Sequence, residues 1–274
     1  MAVNEAQIAF WNGKGGETWV NAQERMDTML QPISEVAVAR AAVSAGERVI
    51  DIGCGCGATS LALNDHGAHV WGVDISQPML ARAKARALGR GNIGFSVSDA
   101  AVAQYTPDHN LIFSRFGVMF FDDPVAAFTN LRTSLTSNGR LLFACWQPPR
   151  NNPWMSVVGA AIAPLLPEPE APVDPRAPGP FAFADPDYVQ GILDSAGFRQ
   201  IKLEPLITPL RVADDIEGAI ASLSEVGPLA RALAELDEDA QAQAVAVAKT
   251  ALADYADDRG VILDSAVWIV SARN

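Results

Sequence analysis

The feature that most constrains this chain is a short apolar strand that runs straight into glycines. Glu47–Ile52 (ERVIDI) reads as a buried strand, and Gly53-Cys54-Gly55-Cys56-Gly57 follows it at once. Glycines between a strand and a helix let a ligand approach the backbone closely. The residues downstream repeat the same alternation. Ala58–His66 reads as a helix, His69–Asp74 as a strand, Gln77–Leu88 as a helix with Pro78 at a favoured early position, and Ile93–Val97 as a strand. Leu111–Ser114 is a fourth strand, Asp123–Leu135 a helix, and Arg140–Trp146 a fifth strand introduced by Gly139. Strands alternating with helices predict an open, doubly wound, mostly parallel α/β sheet of the Rossmann-like kind.

The alternation then breaks. Ten of the 18 prolines fall within Pro148–Pro180, a stretch that predicts neither a regular helix nor a central strand. Asp187–Ala196 is again a helix, with Gly197 placed to cap its C-terminus, and Gln200–Ile207 a sixth strand. Ala213–Ala256 is helical and alanine-rich, and Gly260–Ala272 supplies a seventh strand. Before the sheet, Trp19, Met26, Met29, Leu30 and Ile33 recur at the spacing of one helix face. The chain therefore reads as one domain over 1–274. Its parts are a helical cover (1–45), a core (46–147) and two cap insertions (148–184 and 213–258).

The glycines carry acids around them. Asp51 stands two residues before Gly53, Asp74 ends the second strand, and Asp99 follows the third. An acid at the end of the second strand can accept hydrogen bonds from ribose hydroxyls, although Asp74 also reads as an acid at a helix start, with Ser76 an equal candidate for the cap. Dinucleotide folds use G-x-G-x-x-G with the pyrophosphate at a helix N-terminus. Here the spacing is G-x-G-x-G, which fits an uncharged link between adenosine and an amino acid.

With these residues in place, Asp51–Gly57 resembles the first motif of class I S-adenosylmethionine-dependent methyltransferases. Ser98-Asp99-Ala100 resembles the third motif, and Ser114–Phe121 (SRFGVMFF) resembles the fourth motif of the ubiquinone/menaquinone-type and "type 11" group. The resemblance covers about Gly46–Trp146 and implies a seven-stranded sheet with its last strand antiparallel. It implies S-adenosylmethionine as cofactor and S-adenosylhomocysteine as product. The cofactor contacts it suggests are Asp51, Gly53, Cys54 and Gly55 at the loop, and Asp74, Ile75 and Met79 at the ribose. Asp99 and Ala100 would meet adenine, Ser114 and Phe116 would follow the fourth strand, and Trp19 and Arg25 would reach from the helical cover. Arg25 is either a partner for the methionine carboxylate or a solvated residue of an amphipathic helix.

Composition narrows the acceptor. With 32 acidic and 20 basic residues the net charge is −12, and the densest basic stretch, Arg82–Lys84–Arg86–Arg90, lies on a predicted helix face. Nucleic acid is not an expected partner. No 20-residue apolar span and no leader are read, so a cytoplasmic protein without membrane partners is expected. The three cysteines, Cys54, Cys56 and Cys145, suggest neither a disulfide framework nor a metal site. His66, His69 and His109 precede the second and fourth strands. They are expected at the sheet edge opposite the cofactor, in surface turns, so none is assigned as a general base. No catalytic residue is singled out, with Asp122, Asp185 and Tyr188 left as open candidates for a base. The expected acceptor is a small hydrophobic or aromatic molecule methylated at O, N or C. Its pocket would be lined by Phe116, Met119, Phe120, Trp146, Trp154 and Phe183. The alternatives are an enzyme of this fold that uses the cofactor without methyl transfer, an NAD-dependent oxidoreductase, and a non-catalytic binding subunit. The oligomeric state is open, a homodimer included.

Overall fold

A computed structural model of the chain describes residues 4–167, 174–225 and 227–274. By its internal contacts the chain divides into two compact units. One comprises Met1–Gln147, Pro175–Leu206 and Val267–Asn274, the other Pro148–Asp174 and Ile207–Ala266. The sequence read one domain with caps at 148–184 and 213–258, so residues 175–184 belong to the first unit and the second reaches further on both sides of the later insertion.

The first unit opens with three helices, α1 (Glu5–Asn12), α2 (Lys14–Asn21) and α3 (Gln23–Ala41). The alternating core follows: β1 (Arg48–Ile52), α4 (Ala58–Asp65), β2 (His69–Asp74), α5 (Gln77–Arg86), β3 (Ile93–Val97), β4 (His109–Arg115), α6 (Pro124–Arg132) and β5 (Leu135–Trp146). β5 is longer than expected, because the chain enters it directly after α6 and Gly139 lies within it rather than before it. The second unit contains α7 (Pro153–Ile162). After it come α8 (Pro186–Ser195) in the first unit, β6 (Arg199–Ala213), α9 (Ile216–Leu223), α10 (Pro228–Glu235), α11 (Glu238–Leu252), β7 (Ala256–Asp257) and β8 (Gly260–Arg273).

The strand order is β3-β2-β1-β4-β5-β8-β6, with the two-residue β7 paired to β8. The first five strands are mutually parallel and β8 runs antiparallel to β5. The predicted last antiparallel strand is therefore present, and β7 is an eighth strand that the sequence reading did not contain. The order reverses between β1 and β4, which makes their C-terminal ends the topological switch point where such sheets bind ligands.

Burial explains why this segment folds as it does. β1 reads Val-Ile-Asp-Ile because parallel strands are covered on both faces; Val49, Ile50 and Ile52 are buried, as are Leu111, Ile112 and Phe113 of β4. Phe128 of α6 packs against Phe143 of β5 at 5.6 Å and against Phe183 at 6.2 Å. Truncating one such core aromatic to alanine costs about 3–5 kcal/mol.

The proline-rich stretch departs from expectation. Pro153 opens α7 rather than preventing it, because a helix's first position needs no backbone donor. Asn152 is buried beside it, its side chain donating to Ala266 O (3.0 Å) and accepting from Ala266 N (2.9 Å). Residues 168–173 of that stretch lie outside the described residues.

Candidate active site

Five strand ends of the first unit line up along one edge in the order β3, β2, β1, β4, β5, and the chemistry-bearing residues stand on them. The loop after β1 can only be glycine where it bends. Gly53 has φ +64° and Gly55 φ +55°, backbone that other L-residues adopt at a cost of about 1–2 kcal/mol. A Cβ on Gly53 would lie 2.6 Å from Gly117 Cα, so two backbones meet across the switch point. Gly53 N and Cys54 N both donate to Val73 O (2.8 and 3.2 Å). The Arg86 guanidinium donates to Cys56 O (2.7 Å) and pairs with Asp27 (2.7 Å), bracing the loop from α5.

Asp51 is fully buried beneath this loop. Its Oδ2 accepts from the Ser60 and Thr59 hydroxyls (2.6 and 2.8 Å), while Oδ1 has no hydrogen-bond partner. Burial pushes its carboxyl up to about 6, against the opposing pull of the two hydroxyls and of the Arg115 charge. Asp74 closes β2, accepting from Gly55 N through Oδ2 and from Ser76 N through Oδ1, each at 2.8 Å. Burial raises its carboxyl as well, opposed by these backbone donors. Ser76 accepts from Met79 N (3.4 Å), so Ser76 is the helix cap and Asp74 is not.

Asp99 accepts from Asn4 Nδ2 at both oxygens (3.0 and 2.9 Å) and from Ala101 N (2.9 Å). After β4, Phe116 takes φ +68°, an uncommon conformation for an aromatic residue and one that collects at functional sites. Its ring lies flat on Trp146, with centroids 4.0 Å apart and planes within 7°.

Several expected residues have other duties. The Ser114 hydroxyl donates to Ile52 O (2.7 Å) and accepts from Gly117 N (3.2 Å), so it pins β4 to β1 instead of facing an open site. Cys54, Met79 and Ala100 are buried around the loop and the strand ends. A Cβ on Gly55 would meet Met79 Cε at 2.8 Å, and Ala100 O accepts from Asn130. Ile75 contributes its carbonyl to Asn12 Nδ2 (2.9 Å). Trp19 packs on Trp11 with centroids 6.3 Å apart, and Arg25 is half-buried on α3.

Of the acceptor-pocket residues, Phe116 and Trp146 come together. Met119 and Phe183 do not line an open surface, because both are core residues; Phe183 also packs on Tyr188, and its carbonyl accepts from the Cys145 thiol (3.7 Å). The adjacent Phe120 and Phe121 part company. Phe121 is buried against Phe128, whereas Phe120 meets the edge of Trp11 at 5.5 Å. Trp154 belongs to α7 in the second unit and is half-buried.

Of the three candidates for a base, Asp122 accepts from Asn4 N (2.8 Å) and Asp185 caps α8. Tyr188 lies beneath Arg176, whose guanidinium carbon is 4.4 Å from the ring centroid. His66 and His69 are exposed, but His109 is buried rather than in a surface turn, because β4 begins with it. Burial pushes all three thiols up, Cys56 to about 12, so they are protonated at neutral pH. Among the described residues no group of three or more His, Cys, Asp or Glu side chains is arranged to hold a metal ion, and no helix is long and apolar enough to cross a membrane. The arginines of the basic stretch form ion pairs, Arg82 and Arg86 of α5 with Glu24 and Asp27, and Arg90 beyond the helix with Asp65.

Sequence reasoning missed Thr59, Ser60, Gly117 and Asn4. Two hydroxyls in the first turn after a glycine loop and beneath a buried acid were a readable signal. Gly117 lay inside a quoted motif without a role. Nothing in the sequence around Asn4 announces it.

Residues 49–139 match a family model described as a methyltransferase domain. Aklanonic acid methyltransferase DauC of Streptomyces sp. strain C5 is 33% identical over 138 residues, covering 48% of this chain and 58% of that protein. The chain spans between 21% and 59% of the length of the first curated relatives it matches. Among solved structures, a putative methyltransferase from an antibiotic biosynthesis pathway of Anabaena variabilis superposes with TM-score 0.64 at 14% identity, over 90% of this chain and all of that one. Magnesium protoporphyrin IX methyltransferase from Synechocystis PCC 6803, solved with bound S-adenosylhomocysteine, superposes with TM-score 0.58 at 17% identity, over 98% and 99% of the two chains. At these identities the likeness is one of fold.

Proposed function

We propose that this chain, whose residues 49–139 match a methyltransferase-domain family model, binds S-adenosylmethionine and transfers its methyl group to a small hydrophobic or aromatic molecule, releasing S-adenosylhomocysteine. The observation that carries this reading is the glycine loop with Asp51, Asp74 and Asp99 on three neighbouring strand ends at the switch point. The donor set fits the cofactor. Asp74 has carboxylate capacity left for ribose hydroxyls, since each of its oxygens accepts one backbone bond and has room for another. Asp99 is the acceptor for an adenine amino group, Gly53 and Gly55 let the loop turn tightly against Gly117 and Met79 so that it closes over the strand ends, and Arg25 is the cation assigned to the methionine carboxylate.

When bound, the cofactor supplies a methyl group activated by a sulfonium. The residues of this chain supply orientation and dryness. The half-buried Phe116 ring, backed by the buried Trp146 on which it stacks, offers an apolar surface beside the switch point, against which an acceptor is held and from which water is excluded. Holding the acceptor in line is worth about 7–11 kcal/mol, so a strong base is required only where the acceptor itself is weakly acidic. The protonated thiols and the placement of the histidines leave base catalysis, where needed, to a carboxylate, to Tyr188 or to the acceptor's own acidity. Acceptor choice is assigned to residues 148–184 and 213–258 on the grounds of their sequence, and the likeness to DauC supports a small-molecule acceptor.

The test is a thermal shift with S-adenosylmethionine, S-adenosylhomocysteine and NAD, followed by product analysis. At about 100 times its Kd a ligand adds about 2.7 kcal/mol, which moves the midpoint of a chain this size by at least several degrees. Shifts with the two sulfur nucleotides and not with NAD are expected. S-adenosylhomocysteine must then accumulate one-for-one with methylated product; binding without it would favour a non-catalytic subunit or other chemistry.

A further inference from the structure

Helix α1 is tied at both ends to loops on the cofactor edge. At its C-terminal end Asn12 Nδ2 donates to Ile75 O (2.9 Å), Gln77 N donates to Asn12 Oδ1 (3.0 Å), and the Ser76 hydroxyl donates to Trp11 O (2.7 Å). At its start, Asn4 is buried in left-handed backbone, φ 60°. Its Nδ2 donates to both oxygens of Asp99, its Oδ1 accepts from Asp122 N (3.1 Å), and its own N–H donates to Asp122 Oδ2 (2.8 Å).

Two further observations give this contact a meaning. First, α1 contains no buried residue, and Ile8 and Phe10 face solvent. The helix is held by polar ties and by the edge of Trp11 rather than by apolar burial, so its opening costs little. Second, the Asn4 carboxamide presents an N–H donor beside a carbonyl acceptor. Adenine presents the same pair, its amino group beside a ring nitrogen. The Asn4 donor is spent on the carboxylate assigned to adenine. The Tyr105 hydroxyl, which feels the Asp99 charge, is buried without a hydrogen-bond partner.

We infer that Asn4 is an internal stand-in for the adenine edge: with the start of α1 docked it occupies Asp99, and the nucleotide binds after Asn4 lets go. This rests on the reading of Asp99 as the adenine contact. Docking of Asn4 lowers the fraction of chains competent to bind and raises the apparent Kd by the same factor. Removing the stand-in therefore tightens nucleotide binding, the opposite of what loss of a supporting residue does.

The experiment is calorimetric and stopped-flow binding of S-adenosylhomocysteine to the full chain as wild type, Asn4→Ala, Asp122→Ala and Asp99→Ala. Asn4→Ala is expected to bind about three- to tenfold tighter with faster association, and Asp122→Ala to move the same way by less, since it loses one of the Asn4 anchors. Asp99→Ala is expected to bind at least about tenfold weaker. If Asp99→Ala weakens binding while Asn4→Ala leaves it unchanged or weakens it, the stand-in is overturned and the assignment of Asp99 survives. If Asp99→Ala binds like wild type, the assignment of Asp99 itself fails and takes the inference with it. Should Asn4→Ala fail to fold, Asp122→Ala decides by the sign of its effect.

Discussion

The two ends of the candidate site are built in different ways. At the glycine-loop end each carboxylate is held by its own neighbourhood: Asp51 by Thr59 and Ser60, eight and nine residues on, and Asp74 by Gly55 and Ser76, 19 and two residues away. At the other end, Asp99 has one local tie, from Ala101 N, and the rest of the hold on Asp99 and Asp122 comes from Asn4, 95 and 118 residues away. Local ties form whenever the strand–loop–helix unit forms, so this end is assembled with the fold. Long-range ties to a helix that buries none of its residues are the first to open. The comparison predicts a rigid phosphate-free loop at one end and an adjustable contact at the other.

The sharpest way to break the rigid end is Gly53→Val. The new side chain would meet Gly117 Cα at 2.6 Å in backbone at φ +64°. Strain and overpacking together cost a few kcal/mol, about 1–2 from the backbone and about 1–3 from the clash. S-adenosylhomocysteine affinity is expected to fall by about a hundredfold or more, with a midpoint lower by several degrees. A Gly53→Val protein that binds and melts like wild type would show the loop to be adjustable too, and the contrast between the ends would go.

Asp51 sharpens the comparison through pH. Its carboxyl sits at about 6 in the folded protein against 3.8 for an ordinary aspartate. Between those values the folded state holds the proton and the unfolded state has lost it. Stability from this group is therefore greatest below about pH 4, declines as pH rises to about 6, and stays lower by on the order of 3 kcal/mol above that. Asp51→Asn does not ionise and should lack this decline, visible as a flatter stability profile in denaturant titrations from pH 4 to 7. Parallel profiles for the two proteins would mean that the Thr59 and Ser60 hydroxyls already compensate the buried charge.

What the sequence revealed follows the same division. The alternation from Glu47 to Trp146, the glycines and the three acids were legible because each is a local pattern: a period, a turn, a strand end. The antiparallel last strand was legible through family resemblance. A hydroxyl at a strand end reads alike whether it faces a ligand or a neighbouring carbonyl, so nothing in the sequence announces the bond from Ser114 to Ile52 O. An aromatic residue after a proline-rich stretch gives no sign of the Phe128–Phe143 cluster that receives Phe183. Pro153 was read as a breaker because composition was weighed over position. Asn4 was invisible since its meaning lies in Asp99 and Asp122, which no periodicity connects to it.

The smallest effect on binding is expected at neither end. His109 begins β4, so the full length of the strand separates it from Phe116, and His109→Ala should leave S-adenosylhomocysteine affinity within about twofold. Its cost falls on the fold, about 1–3 kcal/mol for emptying a buried site. Burial also lowers the His109 imidazole from its ordinary 6.5, the charge of Asp108 opposing. As pH drops below about 6.5 the unfolded state takes the proton first, so the wild type loses stability on acidification through this group, in the direction opposite to Asp51. His109→Ala should lose that acid-side decline and keep the Asp51 one, and the double variant with Asp51→Asn should show neither. A His109→Ala protein that keeps its stability but loses turnover, with cofactor affinity intact, would move the chemistry to the wrong edge of the sheet and overturn the division between a binding edge and a structural one.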